Sequence, residues 1–334
     1  MRRIPEYQPA TLHTVTLLFE LLQTRGHDAA QILQGSGLTV SALAVPNAMV
    51  TQAQELRVCA NALALTGDMQ LGLRLGARMH ILTYGLLGYT MMVSPTLGDA
   101  LEVALKYESL VGSWSRITLR IEGRYAVLAA NGYEYRPDLR DFAIDLCIAS
   151  LAVVLRDLNG EAPALLELRL RRAGGPRDEK AVPLGCPVRF AQAEDALYFD
   201  RRWLGRALPL ADSTSHRAAL HDCHLIAERF AQQNLLLRKV REWLEREVEQ
   251  RPTLSALAQS FNLSPRTMRR RIDDAGSSYH SLLDNVRHDA AIRLLEQTQS
   301  PIAHIAEQLG YAESASFRHA FRRWTSLPPS AYRR

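Results

Sequence analysis

Four arginines and a threonine lie within six consecutive residues near the C-terminus: Arg266, Thr267, Arg269, Arg270 and Arg271. An arginine fork pairs with N7 and O6 of guanine, and a threonine hydroxyl donates or accepts at a base edge with little bulk. If these side chains share one face of a helix, they can read base pairs in a major groove. Arg271 is better suited to contacting phosphate.

A second group of polar side chains follows about fifty residues later. Its members are predicted to share the outer face of another helix: Ser314, Ser316, Arg318, His319 and Arg322. Arg323 and the terminal Arg333 and Arg334 are typical of phosphate contacts, which position a protein on DNA without reading its sequence.

An internal repeat indicates how these groups are positioned. Leu257–Leu263 matches Ile305–Tyr311 at an offset of 48 residues. Each segment consists of a large apolar residue, an alanine, two polar residues, a second large apolar residue, a turn-forming residue and a third large apolar residue. Beyond the turn the match continues at an offset of 49, pairing Met268 with Phe317 and Ile272 with Phe321. The second copy therefore has one extra turn residue, and the repeat predicts two copies of one structural unit.

Each copy is predicted to form a helix-turn-helix. Asn262 and Gly310 stand where the first helix ends with φ > 0, which these two residue types tolerate best. Ser264–Pro265 is a typical N-cap and first helical residue, and Ser300–Pro301 repeats that signature at the start of the second copy. The second helix of such a unit enters the major groove.

A strongly amphipathic stretch at residues 280–297 joins the two copies and predicts a long helix. About 18 residues at 1.5 Å each span roughly 27 Å. Successive major grooves on one face of DNA lie about 34 Å apart, so the spacing has the right scale for two adjacent grooves.

Charge supports a polyanionic partner for this part of the chain. Residues 251–334 contain 12 Lys and Arg against 7 Asp and Glu, whereas residues 1–250 contain 28 of each. All of the net charge of +5 therefore lies in the last quarter of the chain. The sequence predicts double-stranded DNA as the partner.

The preceding residues predict a mixed α+β domain. Helical spacing dominates residues 12–110, and strands follow at residues 117–127, with a turn at Glu122–Gly123, and at residues 166–170. Val188–Phe190 and Leu197–Phe199 are predicted to pair, separated by the charged Glu194–Asp195. The predicted domains are residues 1–230 and an all-α domain at 231–334 with two helix-turn-helix units joined by a long helix.

The C-terminal segments resemble the AraC/XylS family signature over about 100 residues: residues 264–271, Ile305–Tyr311, Phe317–Phe321, Arg323–Trp324, Pro328–Pro329 and Tyr332–Arg333. The resemblance implies that Arg266, Arg269 and Arg270 face bases, and that Ser314, Ser316, Arg318 and His319 do so in the second helix. His319 stands where the family commonly has arginine, so its contact is expected to be weaker or pH-sensitive.

Three N-terminal segments resemble the arabinose-binding-type sensor domain of one AraC branch: Gly85–Tyr89, Ser94–Leu101 and Phe199–Ala211. The resemblance implies a domain that senses a small metabolite, mediates dimerisation, or both. The aromatic residues of this region could line a pocket or belong to the core; they are Tyr84, Tyr89, Tyr107, Trp114, Tyr133 and Tyr135. Arg74, Arg78 and His80 could bind a carboxylate, although a solvated helix face is the simpler interpretation.

The sequence predicts neither metal nor cofactor. The four cysteines fit no metal-ligand spacing, and His221–His224 offers only two ligands on one helical face. No uninterrupted apolar stretch indicates a signal peptide or membrane span, so the expected location is the cytoplasm. The sequence specifies neither the effector nor the residues that bind it.

The catalytic motifs of hydrolases, P-loop enzymes, dinucleotide-binding enzymes and zinc proteases are not found in the sequence, so no enzyme activity is expected. A protein that binds DNA by charge alone is the alternative from another class. The preferred hypothesis is a homodimeric, metabolite-controlled regulator that reads two major-groove segments and recruits RNA polymerase. Activation rather than repression is implied by the family resemblance.

Overall fold

The computed structural model describes residues 9–45, 49–133, 136–160, 165–174, 186–325 and 327–333. The chain divides into two compact units, Met1–Arg229 and Phe230–Arg334. Within the described residues no helix is long and apolar enough to cross a bilayer.

Short helices form most of the first unit. They are α1 (His13–Gln23), α2 (Ala29–Leu33), α3 (Val40–Leu43), α4 (Gln52–Thr66), α5 (Leu71–Gly76), α6 (Gly85–Met92), α7 (Leu97–Lys106), α8 (Glu108–Val111) and α9 (Arg140–Asn159). The long helix α10 (Ser213–Glu247) spans the boundary between the units.

Seven strands are described in the first unit, and most neighbouring pairs run antiparallel. They are β1 (Pro9–Thr11), β2 (Met49–Thr51), β3 (Arg116–Glu122), β4 (Tyr125–Asn131), β5 (Leu165–Arg169), β6 (Val188–Arg189) and β7 (Asp195–Asp200). In the described part of the unit, β1 pairs with β2, and the other five form one sheet in the order β3-β4-β7-β5-β6. Only β5 and β6 run parallel among these neighbours.

The predicted pairing of Val188–Phe190 with Leu197–Phe199 is wrong, because β5 lies between these segments. Leu168 of β5 pairs with Val188 on one side and with Leu197 on the other. Asp195, one of the two charged residues between these segments, is the buried first residue of β7. Its carboxylate forms an ion pair with Arg140 and accepts the Arg171 amide at 2.8 Å, which offsets the cost of burial.

Helices α5 and α9 pack at close range in the interior of the first unit. A Cβ atom at Gly72 would lie 2.4 Å from the Phe142 carbonyl oxygen, and one at Gly76 would lie 2.5 Å from that of Leu146. The two glycines, one helical turn apart, therefore allow the backbones to approach. One face of α9 then packs beneath the sheet, where Ile148 and Leu155 are buried.

The second unit is helical. After α10 it contains α11 (Leu254–Ser260), α12 (Pro265–Asp274), α13 (Tyr279–Gln297), α14 (Ile302–Gln308), α15 (Ser314–Thr325) and α16 (Pro329–Tyr332). Met268, Ile272, Phe317 and Phe321 are fully buried, which confirms the inward faces predicted for α12 and α15. The α+β unit and the helical unit with its long connecting helix α13 confirm the predicted fold class.

Candidate nucleic-acid interface

The first helix-turn-helix consists of α11 and α12. The Thr253 hydroxyl caps α11 by accepting a backbone amide hydrogen at 3.2 Å. In the turn, Asn262 has a φ of 54°. Ser264 Oγ then accepts the Thr267 amide at 3.2 Å and caps α12. The predicted turn and N-cap of this unit are confirmed.

The outer face of α12 carries three exposed arginines: Arg266, Arg269 and Arg270. With Pro265 and Asp273 they line a shallow surface depression. Within the described residues none of the three guanidinium groups forms an ion pair with an acidic side chain. Their charge and hydrogen-bond donors are therefore available to an anionic partner.

Thr267 and Arg271 lie beside this face. The Thr267 hydroxyl is 2.8 Å from the Ser264 hydroxyl, so its hydrogen-bonding capacity is partly used within the cap. Arg271 is exposed but follows Arg270 by about 100° around the helix, away from the depression. That direction suits a flanking phosphate better than a base edge.

The second helix-turn-helix consists of α14 and α15 and begins differently from the prediction. Pro301, not Ser300, occupies the N-cap of α14, and no side chain caps it. The Ser300 backbone is instead engaged by its neighbours, since its amide donates to Thr298 Oγ1 at 3.3 Å and its carbonyl accepts from Arg333. The turn itself follows the prediction, with Gly310 at a φ of 72°.

The outer face of α15 carries the second predicted group. Ser314 is half-buried, and the other four members are exposed: Ser316, Arg318, His319 and Arg322. Sequence reasoning missed Ala315, which is exposed and corresponds to Arg266 at the 49-residue offset. Extending that offset to every outward position would have found it. An alanine methyl at this place could contact a thymine methyl.

Arg287 on α13 holds the turn of the second helix-turn-helix. Its Nε donates to the Leu309 carbonyl at 2.8 Å, and its Nη2 donates to the Gly310 carbonyl at 3.3 Å. Its guanidinium carbon also lies 4.5 Å from the centre of the Tyr311 ring. A Cβ on Gly310 would lie 2.4 Å from the Val248 carbonyl oxygen, so this turn fits only glycine.

Two of the arginines predicted to contact phosphate are engaged within the protein. Arg323 Nη2 donates to Asp284 Oδ2 at 2.6 Å, which ties α15 to α13. Arg333 donates to the Ser300 carbonyl and is half-buried. The geometry therefore gives both a structural role, and Arg334 lies outside the described residues.

An ion pair between Arg241 of α10 and Asp289 of α13 stabilises the same unit. Burial alone would raise the pKa of the Asp289 carboxyl, but hydrogen bonds with His288 and Arg241 outweigh it and lower the pKa below its usual range. The carboxylate stays charged at neutral pH and keeps the two helices joined.

The aromatic residues considered as pocket residues of the first unit do not all lie at one site in the structure. Tyr84 and Trp114 border a partly open cavity. Tyr89, Tyr107 and Tyr133 are not among the lining residues, and Tyr135 lies outside the described residues.

Two members of the basic group at residues 74–80 contact acidic side chains. Arg74 pairs with Asp68 at 3.3 Å, and His80 pairs with Asp157 at 3.0 Å.

Cys223 is buried, with its Sγ 3.3 Å from Thr90 Oγ1. Among the described residues no three His, Cys, Asp or Glu side chains come together as a metal site.

Two family models match the chain. One is the "Arabinose-binding domain of AraC transcription regulator, N-term", over residues 26–208, and the other is a "Helix-turn-helix domain" over residues 257–334. The first alone covers more than half of the chain, and the second contains both outer faces described above.

The chain is similar to transcription regulators over most of its length. The chain is 30% identical to the ornithine utilization regulator of Pseudomonas aeruginosa, covering 95% of this chain and 94% of that protein. It is 27% identical to the regulator VqsM of the same species, over 78% of this chain and 83% of that one. The crystal structure of the regulator CdpR from P. aeruginosa matches with 25% identity and a TM-score of 0.50, covering 96% and 98% of the two chains.

Proposed function

This chain belongs to the AraC family of transcription regulators, and we propose that it activates promoters whose DNA it reads with α12 and α15, under the control of a small molecule. That it is a DNA-binding transcription regulator follows from the family. The residues that read bases, the control by an effector and the direction of regulation are proposed.

Direct readout by α12 rests on one observation above all. Three exposed arginines without acidic partners in the described residues share the outer face of a capped helix, and that helix is the second of a helix-turn-helix. We assign guanine contacts to Arg266, Arg269 and Arg270, with Thr267 as a secondary contact and Arg271 on phosphate.

The second segment is read by α15. Arg318, His319 and Arg322 face outward there, with Ser314 and Ser316 at the flanks. Helix α13 has 19 residues, which span roughly 28 Å at 1.5 Å per residue, close to the roughly 34 Å between successive major grooves. A single protein chain thus reads two adjacent grooves.

Two copies of the chain bind two such sites, and the bound dimer recruits RNA polymerase at a neighbouring promoter. The match to regulators over nearly the whole chain supports an arrangement in which the first unit receives the controlling molecule and the second binds DNA. The name of one relative connects it with ornithine utilization, which supports control by a metabolite without fixing which one. Since the relatives are regulators, no catalytic step is proposed, and a promoter-binding protein acts in the bacterial cytoplasm.

The test is to capture genomic DNA fragments with the purified protein at moderate salt and to sequence them. The proposal predicts a few sharp peaks that share a repeated half-site, and their loss with the Arg266→Ala/Arg270→Ala double variant. An Arg74→Ala variant, which changes an arginine of the first unit, is the matched control and should retain the peaks. Diffuse retention that is equal in all three proteins contradicts base readout.

Binding by charge alone is the competing function, which the basic C-terminal quarter could support by itself. Its affinity would fall steeply with salt and depend little on sequence. Base readout instead predicts a loss of about 1–3 kcal/mol for each mismatched base pair. Competition with mutated half-sites at one salt concentration distinguishes the two.

A further inference from the structure

One carboxylate lies among the arginines on the outer face of α12. Arg266, Arg269, Arg270 and Asp273 are spaced at three- and four-residue intervals, so they form a single stripe along the helix. Asp273 is exposed and lines the same surface depression as the three arginines. A side chain of opposite charge is therefore part of the surface to which we assign base contacts.

The Asp273 carboxylate is free to contact a partner. Within the described residues it forms no ion pair and no side-chain hydrogen bond, although Arg269 and Arg270 lie one helical turn away on the same stripe. Only its backbone is engaged, since its carbonyl accepts the Gly276 amide at 2.9 Å. No contact of the described fold thus depends on this carboxylate.

A negative charge on this face lowers the affinity for DNA of every sequence, because DNA is a polyanion. What Asp273 contributes to recognition can therefore only be a difference between sequences. Such a difference arises where a base offers a hydrogen-bond donor, since an ionised carboxylate can only accept hydrogen bonds.

The base edges in the major groove decide which base offers that donor. Guanine presents the acceptors N7 and O6, and thymine presents the acceptor O4 and a methyl group. Adenine has the donor N6 but also the acceptor N7 beside it, whereas cytosine presents its N4 amino group alone. Cytosine is therefore the base whose own edge offers a carboxylate a donor and no acceptor.

The length of α12 allows this contact together with those of the arginines. From Arg266 to Asp273 the helix rises about 10.5 Å, which is roughly three base-pair steps and less than the groove width of about 12 Å. We propose that Asp273 is a specificity-determining residue, whose carboxylate accepts a hydrogen bond from N4 of a cytosine about three base pairs from the guanine bound by Arg266. The contact rests on the proposed function, in which α12 reads bases.

The experiment selects bound duplexes, with the full chain, from a library whose random central segment of about 20 base pairs spans two adjacent grooves. Sequencing the retained duplexes gives the base preference at every position for the unaltered protein, Asp273→Asn and Asp273→Ala. Asp274→Asn is the matched control, because Asp274 is also exposed but lies about 100° further around the helix and does not line the depression. The Arg266→Ala/Arg270→Ala variant identifies the guanine positions.

Readout by Asp273 predicts one position, within a few base pairs of those guanines, at which the unaltered protein prefers cytosine about tenfold. Asp273→Ala should lose that preference and no other. Asp273→Asn should exchange it for adenine, because an asparagine amide pairs with N6 and N7 of adenine. Asp274→Asn should retain the cytosine preference, and its affinity should rise to a similar extent for all sequences.

Identical preferences in the unaltered protein and both Asp273 variants overturn this role, while guanine preferences that depend on Arg266 and Arg270 leave the proposed function standing. Equal changes in Asp273→Asn and Asp274→Asn overturn it as an effect of charge alone. A change confined to the guanine positions also overturns it, because Asp273 then orients the arginines. An unaltered protein that prefers adenine at the Asp273-dependent position contradicts the choice of base, and one that enriches no motif contradicts the proposed function and this contact together.

Discussion

Arg287 donates a hydrogen bond to the carbonyl oxygen of Leu309 at 2.8 Å, joining the helix between the two helix-turn-helix units to the turn of the second. A second hydrogen bond, from Arg287 Nη2 to the Gly310 carbonyl oxygen, holds the same turn. The orientation of α15 relative to α13 is therefore set by a specific contact. Because α13 also follows α12 directly, the distance between the two outer faces is built into the fold.

Arg287→Ala should loosen the second helix-turn-helix. It removes two charge-assisted hydrogen bonds and the stacking on Tyr311, so we expect a local destabilisation of about 2–4 kcal/mol. Amide hydrogen exchange should accelerate in α14 and α15 but not in the sheet of the first unit. Glu296→Ala, an exposed change on the same helix, is the control, and equal exchange in both variants would refute the role of Arg287.

The two turns should differ in what they tolerate. Gly310→Ala combines a φ of 72° with a Cβ placed 2.4 Å from the Val248 carbonyl oxygen, so it should cost about 2–5 kcal/mol. Asn262→Gly should change stability by less than about 1 kcal/mol, since glycine readily adopts the φ of 54° found there. Urea unfolding of the two variants checks the difference, and equal midpoints would contradict it.

Glu55 should make the stability of the first unit depend on pH. Burial raises the pKa of its carboxyl to about 7, although hydrogen bonds with Thr14 and Trp114 partly oppose the shift. The unfolded chain has a value of about 4.3, so between these values the folded state holds a proton that the unfolded state has released. The stabilisation is therefore present at low pH and is lost as the pH rises to about 7, by roughly 4 kcal/mol.

Urea unfolding of the unaltered protein and of Glu55→Gln between pH 5 and pH 8 measures this effect. The amide can still accept the Trp114 bond but does not titrate, so its stability should vary less with pH. Parallel pH profiles for the two proteins would show that Glu55 is not responsible.

Substitutions on α12 and α15 should separate base contacts from structural arginines. Arg266→Ala and Arg270→Ala should each cost about 1–3 kcal/mol of DNA binding and relax specificity at one base pair. Arg323→Ala should instead lower protein stability, because Arg323 is paired with Asp284, and should not relax specificity at any single position. Binding to operators mutated at each position checks this, and equal losses at all positions for all three variants would contradict the assignment.

The backbone preferences of neighbouring residues predicted the turns and caps of the site from the sequence. The turn positions Asn262 and Gly310 and the cap at Ser264 follow from backbone preferences within a few residues, and the repeat placed the inward faces. Contacts between distant residues were not predictable, since Arg287 reaches a turn 22 residues away. The predicted pairing of Val188–Phe190 with Leu197–Phe199 failed for the same reason, because strand order depends on the whole sheet.

The Ser115 hydroxyl, which has no hydrogen-bond partner among the described residues, shows the same limit. Nothing in the local sequence distinguishes it from the Ser113 hydroxyl, which donates to the Ser115 carbonyl, because the surroundings of each depend on the folded unit. Ala315 is a different case, because the 49-residue offset of the repeat aligns it with Arg266 and so contains the information from the sequence alone.

Methylation interference on a captured operator tests most directly the claim that α12 and α15 read adjacent major grooves. Methyl groups on guanine N7 block the acceptor that an arginine fork uses. Readout by two helices predicts two clusters of interfering guanines about 10 base pairs apart on one face of the DNA, with the cluster read by α12 lost in Arg266→Ala/Arg270→Ala and the other retained. A single cluster, or uniform weak interference that the double variant leaves unchanged, would contradict readout by two helices.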